Sequence, residues 1–138
     1  MARRAQGSPL DPAIRASLQA YFPGLDLRAV RLHAGLPRHV PRTARGYASR
    51  DDIYLAAGWR PRPDAEALAL LAHELVHVRQ YRELGTWRFR LAYVRQYLAG
   101  RLRGLGHDAA YRDISFERDA RAVEARVRAD LAGARVQA

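Results

Sequence analysis

LLAHELVHVRQ, residues 70–80, holds the string His73-Glu74-Leu75-Val76-His77 within an apolar run. It fits either a buried helix whose histidines are hydrogen-bonded in a core or a metal site. Asp64 supplies an N-cap and Gly85 a stop, so a helix is expected over 65–84. Leu68, Leu71, Leu75 and Val78 form one stripe on it, and Leu70, His73, His77 and Tyr81 another. A helix apolar on most of its sides is a central one. Two histidines four residues apart on a helix differ by about 40° in rotation and roughly 6 Å along the axis. Both imidazoles can therefore converge on one tetrahedral metal. Glu74 lies on the neighbouring flank, where its carboxylate reaches a water held by the metal rather than the metal itself. That arrangement makes a nucleophile near neutral pH and a base to take its proton. At this chain's histidine and glutamate content, the string arises by chance on the order of once per hundred such sequences.

A zinc hydrolase needs a third ligand. In metzincin-type sites it is a His ten residues after the first, beyond a helix-breaking glycine. Here Glu83 occupies that slot and Gln80 the breaker's. On an unbroken helix Glu83 points about 240° away from His77, which excludes it. Gluzincin-type sites instead take a Glu from a later helix, where Glu117 and Glu124 are the candidates. They share a face but lie about 10 Å apart along the axis, so one metal does not take both. Glu117 is favoured: it sits in a first turn, where the helix dipole favours the carboxylate, and small Ala120 lets its helix pack closely. Its alternative is a surface pair with Arg121, and Glu124 has the same option with Arg128. His107, in a Gly-rich stretch, is the rival ligand.

The remaining segments imply an α+β fold: a small N-terminal antiparallel or mixed sheet with an N-terminal helix, then the central zinc-binding helix and two further helices. Asp11-Pro12 starts the first helix, with Ile14 and Leu18 on its apolar face and Pro23-Gly24 at its end. Residues 27–33 suggest a strand, and Gly46–Ser49 and Ile53–Ala56 two more, turned near Arg50-Asp51. Residues 87–103 form a helix in which Trp87, Leu91, Val94, Leu98 and Leu102 fit one stripe. Ser115 caps a last helix, 116–131, with Phe116, Ala120, Val123, Val127 and Leu131 inward. No linker or repeat divides the chain, so one domain is expected over 1–138, with 1–9 a loose arm and 132–138 a frayed tail.

The 138 residues include no cysteine, which excludes disulfides, thiolate zinc sites and a cysteine nucleophile. The net charge is +10, and all 24 basic residues are arginine. Because they spread along the whole chain, a GC-rich bacterial genome explains them better than a dedicated anionic partner. No apolar run follows MARRAQGSPL and none reaches the length of a membrane span, so neither a signal peptide nor a span is expected. Residues 79–103 hold seven arginines and one acid, interleaved with Trp87, Phe89, Tyr93 and Tyr97. This admits a nucleic-acid or anionic-surface partner. No nucleic-acid-binding motif accompanies it, and an amphipathic helix with core aromatics and a solvated arginine face is preferred.

SPLDPAIRASL (8–18), LRAVRLHAG (27–35), DDIYLAAG (51–58) and LLAHELVHVRQ (70–80), in that order and spacing, resemble the core domain family of bacterial extracellular contractile injection systems. YRDISFERDARAVE (111–124) resembles the distal motif of the same group of short gluzincin-like metallopeptidases. The likeness covers roughly residues 8–131 and is least diagnostic over 86–104. It implies that His73 and His77 are ligands of one zinc ion, that Glu117 is the third, and that Glu74 is the base. Tyr111 would donate to the tetrahedral oxyanion, with His107 as rival donor. A peptide or protein substrate would lie along a sheet edge, for which strand Ile53, Tyr54, Leu55 and Ala56 is the candidate. His33 matches the family's VRxH pattern and reads as a half-buried strand histidine. The resemblance further implies synthesis in the bacterial cytoplasm, export as injection-system cargo and an injection-system particle as partner. The competing expectation is a non-catalytic zincin-fold cargo, scaffold or nucleic-acid-binding module with structural zinc or none.

Overall fold

The computed structural model describes residues 7–59 and 62–137. Strand β1 (Ser8–Pro9) leads into helix α1 (Pro12–Leu18). Asp11 caps α1 as expected, its carboxylate accepting from the Ala13 N–H at 2.8 Å. Two 3-10 turns follow, at Gln19–Tyr21 and Leu27–Ala29. The second occupies the start of the strand expected at 27–33; Asp26 caps it, so strand β2 begins only at Arg31 and ends at Ala34. Strands β3 (Gly46–Ser49) and β4 (Asp52–Leu55) form a tight hairpin, with Arg50 at φ 58°. The sheet is mixed, in the order β1-β2-β4-β3: β1 is antiparallel to β2, β2 parallel to β4, and β4 antiparallel to β3.

This order corrects the expected substrate edge. β4 is paired on both sides, Leu32 with Ile53 and Tyr47 with Tyr54, so Ile53, Tyr54 and Leu55 have no free backbone edge to offer. The physical reason is burial: Ile53 and Leu55 point into the core, and a strand so covered belongs inside a sheet. The free edge beside the central helix is β3.

Helix α2 (Ala65–Leu84) has the expected bounds, with the Asp64 carboxylate accepting from the Ala67 N–H at 2.9 Å. It lies between β3 on one side and the last helix on the other. Leu68, Leu70, Leu71, Leu75, Val76 and Val78 are all buried. Each such side chain contributes about 1.5–3 kcal/mol of hydrophobic stabilisation. The core extends to Leu10, Ile14, Leu18, Phe22, Val30 and Ile53, sealing the sheet and α1 against α2. Gly85 closes α2 at φ 84°, a region costly for a residue with a Cβ, and turns the chain directly into helix α3 (Thr86–Leu102).

A short helix, α4 (His107–Arg112), occupies the stretch read as a break, too short for periodicity to reveal. Helix α5 (Ser115–Gln137) packs along α2 and buries Ala120 and Val127. It runs past the expected stop at 131 to Gln137. At the other end, Ser8–Pro9 belong to the sheet rather than to a loose arm, and residues 1–6 lie outside the described residues.

α3 departs most from expectation. Phe89 is buried, and its ring meets Tyr81 at 4.3 Å and Phe116 at 4.9 Å. Trp87, counted among the core aromatics, is instead 80% exposed. The stripe it heads faces outward throughout, because α3 packs on α2 and α4 through the opposite face.

Candidate metal centre

His73 and His77 stand one turn apart on α2, and Glu117 enters from the first turn of α5. One ligand atom from each lies within 4.8 Å of the others. Glu117 Oε2 is 3.2 Å from His73 Nε2, and its Oε1 is 3.1 Å from His77 Nε2. Ligand atoms at the corners of a tetrahedron around zinc lie about 3.3 Å apart, given metal–ligand bonds near 2.0–2.1 Å. The donor set fits zinc in type, and with one ligand atom from each residue within 4.8 Å of the others the three side chains are close enough to hold one ion.

Each imidazole is held from behind. His73 Nδ1–H donates to Glu124 Oε1 at 2.8 Å, and His77 Nδ1–H donates to Gln80 Oε1 at 2.9 Å. These bonds fix the ring orientations that turn both Nε2 atoms toward Glu117. Glu124, weighed as an alternative ligand, thus orients His73, and is itself tied to Arg128 at 2.9 Å. Gln80, noticed in the sequence only for not being glycine, also donates to the Phe116 carbonyl at 3.1 Å, linking α2 to the start of α5. Tyr93 from α3 donates to Glu117 Oε1 at 2.9 Å. Tyr93 reads in the sequence as one of the interleaved core aromatics, with no sign of that partner.

The charges are strongly coupled. Burial lowers the His73 pKa, but hydrogen bonds to Glu117 and Glu124 outweigh it and raise it to about 9. His77 is likewise raised, its bond to Glu117 winning over burial. Burial disfavours the Glu117 carboxylate, yet the two imidazoles pull its pKa well below the usual range. Glu74 goes the other way: burial lifts its pKa, partly countered by His77 and His73. Its carboxylate packs on Gly46 of β3, where an added Cβ would lie 2.9 Å from Oε1 and would displace the carboxylate.

Above these groups opens a cleft of about 620 Å³. Gly46, Tyr47 and Ala48 of β3 line one side, Phe89, Tyr93 and Val94 of α3 the other, and Glu74, His77 and Glu117 the floor. Tyr111 also lines it, from α4 rather than from a loop, with its ring 6.4 Å from that of Tyr93. His107 sits at the exposed rim, its Nδ1 bonded to the Tyr97 hydroxyl at 2.8 Å, and is outside the three-residue group. His33 is partly buried in β2, 2.8 Å from Asp52 and stacked on Tyr54, away from the centre.

The eCIS core domain model matches residues 9–85, more than half of the chain. The chain belongs to the eCIS core domain family. Membership links it to the extracellular contractile injection systems for which the family is named. No curated protein and no solved structure matches the chain. The matched segment of this eCIS core protein carries His73, Glu74 and His77, whereas Glu117 lies beyond it. Among the described residues no helix is long and apolar enough to cross a membrane.

Proposed function

We propose that this eCIS core protein is a gluzincin-like zinc metallopeptidase that works with an injection-system particle. One observation carries the reading: the His73 and His77 imidazoles and the Glu117 carboxylate converge, and His77 and Glu117 open onto a cleft beside the buried carboxylate of Glu74. Held by His73, His77 and Glu117, zinc would supply Lewis acidity toward a peptide carbonyl and make water acidic enough to attack near neutral pH. Glu74, buried beside the two imidazoles, would accept the proton of the attacking water and hand it to the leaving amine. Tyr111 donates from the cleft wall to the carbonyl oxygen as negative charge develops there. His107 remains the rival donor, reaching in from the rim once released from Tyr97.

An extended peptide or protein substrate adds to the free edge of β3, with the backbone of Gly46–Ser49 as its hydrogen-bonding partner. Phe89, Tyr93 and Val94 favour apolar substrate side chains opposite that edge. The link to the particle rests on family membership.

The test is cleavage of casein or a peptide library by zinc-loaded protein, by chelated protein and by chelated protein resupplied with zinc. The expected result is loss on chelation and recovery with zinc, with Glu117→Ala inactive at equimolar zinc. Cleavage that chelation leaves intact, or a Glu117→Ala variant with normal zinc affinity, would contradict it.

A further inference from the structure

α3 carries two apolar faces separated by arginines. One face, with Phe89 and the half-buried Tyr93, closes the cleft. The other holds Trp87, Leu91, Val94, Leu98 and Leu102 in one outward stripe, with Leu91 61% and Leu102 89% exposed. Fifteen residues separate the ends of that stripe, so it runs roughly 22 Å along the helix. Arg88 and Arg95 flank it on one side, and Arg101, with the partly buried Arg90, on the other. Residues 86–103 contain no acid at all. Among the described residues Arg88, Arg95 and Arg101 form no ion pair, whereas Arg103 is paired with Asp113. α3 begins immediately after the family-matched segment ends, so the family match does not account for this face.

We infer that the outward face of α3 docks on an anionic lipid surface. The charge pattern selects that occupant. A second copy seated face to face would bring its own Arg88, Arg95 and Arg101 against their counterparts, with no carboxylate on either helix to meet them. A lipid surface takes both halves of the pattern at once. The five apolar side chains enter the boundary between headgroups and acyl chains, while Arg88 and Arg95 on one flank and Arg101 on the other extend to the phosphates; Arg90 is held by Ser49 and Tyr81. Trp87 marks one end of the stripe, and tryptophan favours this interface. Since Arg90 and Val94 also line the cleft, docking brings the cleft mouth next to the lipid surface. The inference stands apart from the zinc chemistry and holds for metal-free protein as well.

The test is cosedimentation with vesicles of phosphatidylcholine containing roughly a third phosphatidylserine, against phosphatidylcholine alone, in about 0.15 M salt. The expected result is binding to the anionic vesicles only, weakening as salt rises. Leu91→Ser with Leu98→Ser should lower the affinity about a hundredfold, roughly tenfold per leucine removed from the interface. Arg88→Gln with Arg95→Gln should lower it by roughly fivefold per arginine. Both variants alter exposed side chains, so circular dichroism and melting temperature should match the parent's. Failure to bind the anionic vesicles would overturn the inference. So would binding that the leucine variant leaves unchanged, since that reports only diffuse charge. Self-association in the absence of vesicles, abolished by Leu98→Glu, would assign the face to a second copy and overturn it equally.

Discussion

α2 and α3 are consecutive helices joined through Gly85, similar in length and both carrying several leucines, yet they have opposite fates. α2 is enclosed by the sheet and α5 and buries thirteen of its twenty residues, His77 and Glu74 among them. α3 buries only Phe89 and Gly100 and turns its longest apolar stripe outward. The difference lies in what surrounds each helix, not in its own periodicity. α2 has layers on both sides to receive two stripes. α3 lies at the edge, where only one of its two apolar faces meets protein. Burial on α2 is also what gives its polar residues their chemistry: the same enclosure that raises the Glu74 pKa forces His73 and His77 to find partners.

The largest effect that could break this comparison is on stability. Leu75→Ala should cost about 2–5 kcal/mol by urea unfolding, the usual range for emptying a packed leucine site. A cost under about 1 kcal/mol would mean that α2 is not the enclosed helix described. Next come the groups that hold the imidazoles. Glu124→Gln and Gln80→Leu should each weaken zinc binding by about 10–100-fold in competition with a chromogenic chelator, while leaving the three ligands in place. An unchanged affinity for both would make these contacts incidental.

A smaller effect is pH-dependent and belongs to metal-free protein. The His73 pKa is raised from 6.5 to about 9, so protonation stabilises the fold. That contribution is complete below pH 6.5 and is lost as pH rises through 9. The melting temperature of the metal-free protein should therefore fall over that window. The zinc-loaded protein should escape the fall, because its ligands are already neutral imidazoles. The smallest effect completes the contrast with Leu75: Leu98→Ala, on the outward stripe of α3, should change unfolding free energy by no more than about 0.5 kcal/mol.

Much of this was legible in the sequence, where local chemistry decides. Asp11, Asp64 and Gly85 set helix ends through caps and a positive φ, and the structure has them there. Ala120, Val123, Val127 and Leu131 on α5 meet the core as their helical period implies. Glu117 emerged from elimination and dipole, and it meets both histidines. What stayed hidden depends on tertiary neighbours. Strand order is invisible in short runs such as GYAS and DIYL, so residues 53–56 read as the edge in the sequence, whereas β3 holds that place in the structure. Tyr93 and Gln80 gain their roles only because α3 and α5 bring Glu117 and the Phe116 carbonyl to them. α4 is six residues long and follows Gly106, too little for a periodic signal.

The central claim is that the α2–α5 centre holds zinc and that Glu74 makes it catalytic. The most direct measurement is metal content and peptide cleavage of the parent and of Glu74→Gln, purified side by side. The account predicts about one zinc per chain in both, with cleavage in the parent and a loss of at least about a hundredfold in the variant. A parent protein that takes up no stoichiometric zinc, or a Glu74→Gln variant that cleaves as fast as its parent, would contradict it.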